Sequence, residues 1–204
     1  CGSANHYGWG TENDTISTSV VYDANRIARV TGSAVASGSG HLYTTLTLAA
    51  PAAGIAESDE VMLRVVSASG SDCGANISPN QYEFARALTS ASGTTLVIPR
   101  GTFADNLNQT YLTATPMSAN YCYVQVAKVL HLMNLTFNAG GSLFTDPFGN
   151  FTEAGGVLPL RVAGKLQFND SGNSINTNAT GFSNVATGNG HGSTPGTGGT
   201  AGGG

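Results

Sequence analysis

Charged residues are scarce in this chain. Only 10% of its 204 residues are Asp, Glu, Lys or Arg, against roughly 25% in ordinary soluble proteins. The chain has eight Lys and Arg and twelve Asp and Glu, so its net charge is -4. The basic residues form no cluster in the sequence. This excludes a nucleic-acid-binding protein, which needs concentrated Lys and Arg to neutralise phosphates. Gly, Ser, Thr, Asn and Ala dominate instead, a composition typical of secreted and cell-surface β proteins.

Long apolar runs are also missing. A membrane-spanning helix needs roughly 18 to 20 apolar residues in succession. The longest apolar stretch runs from Val124 to Leu135 and is interrupted by Gln125, Lys128, His131 and Asn134. Attachment to a membrane is therefore expected only through a covalent lipid.

The residue patterns of metal and catalytic sites are absent as well. The four histidines are scattered, with no His-x-His, Cys-x-x-Cys or His-Glu-x-x-His spacing, so we expect no metal and no other cofactor. A nucleophile elbow requires Gly-x-Ser-x-Gly between a strand and a helix. The similar run from Ser37 to Gly40 lies in a predicted turn instead. These absences predict a protein that is not an enzyme and has no catalytic residues.

Short runs of alternating apolar and polar residues are abundant, and alternation with period two is typical of half-buried strands. The clearest run extends from Leu42 to Leu48, and others begin at Val61 and Thr94. Residues 78–90 fit either a helix start or a strand, and the strand is favoured. The run from Tyr121 to Phe137 is too long for one strand and is expected to bend or to cross between sheets. About eight short strands predict an all-β fold, an antiparallel β-sandwich or jelly-roll-like domain.

Composition divides the chain into three parts. Residues 1–24 form an extended N-terminal arm with a possible donor strand, and residues 25–168 form the β-sandwich domain. Residues 169–204 form a C-terminal tail rich in Asn, Ser and Gly, whose end has the composition of a flexible linker. Within the last strand pattern, from Leu158 to Phe168, Gly164 is expected to allow a bend or a close approach.

The chain contains three cysteines, an odd number. In an oxidising compartment an odd count leaves one thiol for a partner or a modification. We expect a disulfide between Cys73 and Cys122, which would stabilise the fold by roughly 4 kcal/mol in the chain-entropy model. The alternative is three reduced, unrelated thiols. The predicted pairing leaves Cys1 as an attachment point.

The first three residues, Cys1-Gly2-Ser3, resemble the start of mature bacterial lipoproteins, in which small residues and a flexible tether follow an acylated cysteine. The resemblance covers these three residues and the polar arm behind them. It implies a lipid on Cys1 and a location at the cell surface. An interchain disulfide from Cys1 to a neighbouring subunit is the alternative.

Two functions fit these features. The first is an extracellular structural subunit, pilin-like or part of a surface filament, that forms a homopolymer when its N-terminal arm adds as a strand to a neighbour. The predicted contact residues are Ile16, Thr18, Val20 and Tyr22, which alternate along the arm. The same segment could instead pair within its own subunit.

The second function is a monomeric surface lipoprotein that binds a glycan or a protein through its β-sandwich loops. Aromatic residues such as Tyr82 and Phe84 could stack on sugar rings, or they could serve as packing residues between subunits. An assembling subunit is the favoured hypothesis, because it accounts for the low charge and the lack of any catalytic pattern.

Overall fold

The computed structural model describes residues 13–22, 24–38, 41–68, 81–100, 104, 122–145 and 155–177. Their regular secondary structure is nearly all strand, with a short 3-10 turn at Ala24–Arg26. The predicted all-β class is confirmed.

Six strands form one antiparallel sheet. They are β3 (Ile27–Gly38), β4 (His41–Leu48), β5 (Glu60–Ala68), β6 (Tyr82–Arg86), β7 (Thr95–Pro99) and β8 (Cys122–Lys128), arranged β6-β5-β8-β3-β4-β7. The remaining strands are β1 (Asn13–Ile16), β2 (Ser19–Tyr22), β9 (Leu130–Leu132), β10 (Asn134–Phe137), β11 (Ser142–Thr145), β12 (Leu160–Val162), β13 (Leu166–Phe168) and β14 (Ser174–Asn176).

These eight short strands pair only in parallel, in three small sheets ordered β1-β10-β13, β14-β11-β2 and β12-β9. β9, β10 and β11 each belong to a different one of these sheets, and β12, β13 and β14 then enter the same three sheets in the same order. This topology is a short parallel β-helix, in which each circuit of the chain adds one strand to each face. We call β1 and β2 coil 1, β9 to β11 coil 2, and β12 to β14 coil 3.

The antiparallel sheet is an insertion between coil 1 and coil 2. The chain leaves the β-helix after Tyr22, builds the six strands, and returns from Lys128 directly into β9. The long apolar run from Tyr121 was predicted to bend or to cross between sheets. Its described part, β8 to β10, crosses from the antiparallel sheet into two parallel sheets, which confirms that prediction. The two face-to-face antiparallel sheets of a sandwich or jelly roll are not found among the described strands.

The antiparallel sheet buries its main core on one face. The alternate residues Val61, Leu63 and Val65 of β5 are fully buried there, together with Val124 and Val126 of β8. Cys122 to Ala127 are all buried, because β8 lies between β3 and β5 and its second face is covered too. A separate small core fills the β-helix and consists of Ile16, Leu135, Phe137 and Leu143.

Gly164 separates β12 from β13, as the predicted bend requires. A Cβ atom at this position would lie 2.7 Å from Asn134 Oδ1 and 2.8 Å from the backbone oxygen of Met133. The close approach expected at this glycine is therefore present. β14 lies in the segment predicted to be a tail, so ordered pairing extends at least to Asn176.

Candidate assembly site

The interior of the β-helix is built from columns of side chains that are equivalent by strand register. Ile16, Phe137 and Phe168 form one column, and Asp14, Leu135 and Leu166 form a second. Neighbouring strands of a sheet are about 4.8 Å apart, so each residue packs on its equivalent in the next coil. The Phe137 and Phe168 rings are stacked, with centroids 4.8 Å apart and an angle of 7° between their planes.

Coil 3 is the last described coil of this stack, and its apolar side chains are exposed. Leu135 and Phe137 of coil 2 are fully buried, whereas their equivalents Leu166 and Phe168 are 45% and 46% exposed. Within the described part of the chain, no strand pairs with the second edge of β13. The end of coil 3 thus presents an apolar surface and a strand edge together.

Coil 1 lies at the other end of the stack. Val20 is the register equivalent of buried Leu143 but is exposed, as is Val21. Ile16 is buried, and Asn13 and Asp14 are exposed. This end therefore presents two valines and a polar strand.

Side-chain hydrogen bonds connect the coils at one corner. Asn138 Nδ2 donates to Ser17 Oγ at 3.4 Å, and Asn169 Nδ2 donates to Asn138 Oδ1 at 2.9 Å. Gly141 lies beside this corner, where the coils approach so closely that a Cβ atom there would lie 2.1 Å from the backbone oxygen of Ile16. The corner is therefore specified by both hydrogen bonding and shape.

A buried carboxylate joins the β-helix to the antiparallel sheet. Glu60 of β5 accepts hydrogen bonds from Arg161 Nε at 2.7 Å and Arg161 Nη2 at 2.9 Å. His131 Nε2 lies 2.7 Å from Glu60 Oε2. The side chain of Glu60 is only 3% exposed, whereas that of Arg161 is 50% exposed. A fork of two charged hydrogen bonds is strong and directional, so it holds coil 3 against the sheet.

The four predicted contact residues do not lie on one strand. The segment breaks at Ser17 and Thr18 into β1 and β2, which pair with β10 and β11 of the same chain. Ile16 and Tyr22 are buried, and the Tyr22 hydroxyl donates to the Lys128 backbone oxygen. Val20 is exposed. Of the two pairings considered for this segment, the structure contains pairing within the chain.

Cys122 is buried and disulfide-bonded. Cys1 and Cys73 both lie outside the described residues, so the pairing of Cys122 with Cys73 and the role of Cys1 stay predictions.

An internal repeat in the sequence is the signal for the β-helix, and the prediction of a sandwich did not use it. Leu135-Thr136-Phe137-Asn138 recurs as Leu166-Gln167-Phe168-Asn169, with equivalent residues about 31 positions apart, within the range of repeat architectures. Thr15-Ile16-Ser17 is a weaker copy in coil 1. The two full copies have a leucine, a phenylalanine and an asparagine at the same spacing.

The described residues contain no group of three His, Cys, Asp or Glu side chains placed to hold a metal ion. In the same part of the chain, no helix has the length and apolar character needed to cross a bilayer.

Comparison with known proteins identifies no family for this chain. No protein-family model matches the sequence, and no curated protein matches it. Among solved structures, the chain is similar to the gp54 tailspike of Acinetobacter baumannii bacteriophage AP22, determined in complex with a capsular saccharide. The TM-score is 0.24 at 14% identity, over 79% of this chain and 24% of that chain. This chain thus spans about a quarter of the tailspike, and the likeness carries no argument about function.

Proposed function

We propose that this protein is an extracellular, non-enzymatic structural subunit whose copies assemble end to end along the axis of the β-helix. One observation carries the proposal: the last described coil ends in the exposed side chains of Leu166 and Phe168, although their equivalents in coil 2 are fully buried. Solenoid proteins require polar capping at their ends to stay soluble and separate. An apolar end with a strand edge instead favours addition of another strand.

The parallel topology determines how two copies would meet. All strands of one parallel sheet run in the same direction, so the edge at coil 1 differs from the edge at coil 3. A second copy that is translated along the axis brings its coil 1 onto the coil 3 of the first, with strand directions preserved. Val20 of one copy then lies near Ile175 of the other in the column of Leu143, and the exposed Asp14 lies near Leu166 in the column of Leu135. Such a head-to-tail contact does not close on itself and produces a filament.

Residues 178–204 contain few large apolar side chains. Phe182 and Val185 are the only large apolar residues between positions 178 and 204. A further coil at the observed spacing would place its interior residues near positions 190 to 199, which are Gly, His, Ser, Thr and Pro. In the proposed filament, a second copy supplies apolar side chains at this end.

The contact region includes Val20 of the predicted contact segment, but the proposed mode of contact differs from the predicted one. Strand addition by a free arm is replaced by addition of a whole coil, of which Val20 is part. A lipid or an interchain disulfide at Cys1, and the extracellular location, rest on the sequence alone. A lipid or a disulfide at Cys1 would attach such a filament at one end.

The proposal predicts that Phe168→Asp abolishes assembly. The substitution places a carboxylate where the next copy would bury it, and an unpaired buried charge is strongly unfavourable. We expect the mass of the unaltered protein, measured by light scattering, to rise with concentration above the 20.7 kDa of one chain. The Phe168→Asp protein should stay at the mass of one chain.

Val35→Asp is the matched control. Val35 of β3 is 47% exposed, so the new charge is similarly placed but lies on the antiparallel sheet, away from the end of coil 3. This variant should assemble as the unaltered chain does, and circular dichroism should show that both variants are folded. An unaltered protein that remains at 20.7 kDa over the whole concentration range would refute the proposal, as would assembly of Phe168→Asp.

A further inference from the structure

Two exposed aromatic rings lie side by side on an edge strand of the antiparallel sheet. Tyr82 and Phe84 of β6 are 62% and 42% exposed. Their ring centroids are 5.7 Å apart, with the planes at 74°. Adjacent exposed apolar side chains that form a patch often mark a binding site, whereas single ones do not. We call Tyr82 and Phe84, together with Arg64, Arg86 and Arg161, the aromatic ledge.

Arg161 fixes one side of the ledge. Its guanidinium carbon lies 4.6 Å from the centre of the Phe84 ring, within the range of a cation–π interaction. The two hydrogen bonds from Arg161 to the buried Glu60 hold the guanidinium in that position. The ring and the cation are therefore positioned before any ligand arrives, which lowers the entropic cost of binding.

Two more arginines border the rings. Arg64 is directly opposite Tyr82 in the β5–β6 register, and Arg86 is opposite Glu60. Side chains of directly opposed residues share a face of the sheet. Burial lowers the pKa of Arg64 below its ordinary value, but an arginine keeps its charge at neutral pH. Three of the eight basic residues of an acidic chain thus share this face with the two rings. Arg161 is paired with Glu60, and Arg86 Nη2 donates to Ser58 Oγ at 2.7 Å.

We propose that the aromatic ledge binds an acidic saccharide, such as an oligosaccharide that contains uronic acids. Sugar rings present flat faces of C–H groups that pack on aromatic rings, and arginine binds carboxylates through a planar fork of donors. The two rings lie on β6 of the antiparallel sheet, and only Arg161 belongs to coil 3. Substitution of a ring should therefore change binding and leave assembly unchanged.

Charge and composition favour a saccharide over a nucleic acid. Single-stranded nucleic acids also stack bases on aromatic residues, but they require a basic groove that follows several phosphates. The chain has a net charge of -4, Arg161 is engaged by Glu60, and Arg86 donates one hydrogen bond to Ser58. A ligand with separated carboxylates matches this charge better than a continuous phosphate backbone.

Titration calorimetry tests the site with three uronate probes: trigalacturonate, an alginate trisaccharide and a hyaluronan tetrasaccharide. We expect at least one to bind, and its fully methyl-esterified form to bind about tenfold more weakly, because the ester removes the charge and keeps the ring. Tyr82→Ala should weaken binding by about tenfold through loss of the stacking surface. Arg86→Gln should weaken it by about fivefold.

Phe168→Asp is the control for binding, because it alters an exposed aromatic residue outside the ledge. It should bind the uronate as the unaltered protein does, while Tyr82→Ala should still assemble. The proposal is wrong if none of the three probes binds at millimolar concentration, or if the esters bind as well as the acids. It is also wrong if Tyr82→Ala binds normally, or if oligothymidylate binds as tightly as the best uronate.

Discussion

Gly141→Ala is expected to lower the free energy of unfolding by about 3 kcal/mol, the upper end of the usual cost of overpacking. The added Cβ atom would lie 2.1 Å from the Ile16 backbone oxygen and 2.9 Å from that of Asn138. Both are backbone atoms, so no side-chain rotation relieves the clash. Coil 1 must move away from coil 2, which disturbs the register at Ile16. Reversible denaturant unfolding measures the change.

Gly93→Ala is the matched control for this substitution. No atom lies within 4 Å of the position that a Cβ atom would take at Gly93. The same chemical change should therefore alter stability by less than about 1 kcal/mol, with any gain coming from a more restricted unfolded chain. Equal effects at the two glycines would show that coils 1 and 2 do not approach each other as described.

Arg161→Met is expected to destabilise the fold by about 3 kcal/mol. It leaves the Glu60 carboxylate, which is 3% exposed, with His131 but without its guanidinium partner. Methionine keeps much of the length and apolar character of the arginine stem, so the loss is mainly one of charge. In a chain of this size we expect the melting temperature to fall by about 6 to 12 °C.

Two further variants separate this charge effect from loss of packing. Lys165→Met removes an exposed cation from the same coil and should leave the melting temperature within about 2 °C, as for most surface substitutions. The double variant Glu60→Gln with Arg161→Met should be more stable than Arg161→Met alone, because it removes the unpaired buried carboxylate. A double variant that is less stable than the single one would contradict the proposed role of Glu60.

The strands themselves were largely predictable from the sequence. The alternation from Leu42 to Leu48 corresponds to β4, which begins one residue earlier, and the run that starts at Val61 corresponds to β5. Residues 78–90 fitted a helix or a strand, and the described part contains β6. These predictions succeed because a half-buried strand shows its two faces in its own residues, whatever its neighbours are.

The partners of the strands were not predictable in the same way. Ile16 and Phe137 are adjacent in space although about 120 positions apart in sequence, and nothing in a four-residue strand specifies such a neighbour. Alternation carries no information on whether a pair is parallel or antiparallel, so short strands suggested a sandwich. Only the recurrence of Leu135-x-Phe137-Asn138 one coil later indicates the parallel topology. A search of the sequence for internal repeats finds this recurrence.

The candidate assembly site was predictable only in part. The segment from Ile16 to Tyr22 was selected for its alternation, and Val20 within it belongs to the exposed end of coil 1. Leu166 and Phe168 were read as members of a final strand with a buried face. Their exposure depends on the position of β13 at the end of a stack, which a local pattern cannot reveal.

The central claim is that copies join head to tail, coil 3 of one to coil 1 of the next. Two variants each block one end: Phe168→Asp alters coil 3, and Val20→Asp alters coil 1. Each variant keeps the end that the other has lost. The decisive measurement is the light-scattering mass of an equimolar mixture of the two, compared with each variant alone.

The account predicts that each variant alone stays near the 20.7 kDa of one chain. The mixture should instead form a dimer of about 41 kDa, twice that mass, because one intact coil 3 end meets one intact coil 1 end and no further addition follows. A mixture that remains at the mass of one chain would contradict the account. Dimers of Val20→Asp alone would contradict it too, since they would show that two coil 3 ends join each other.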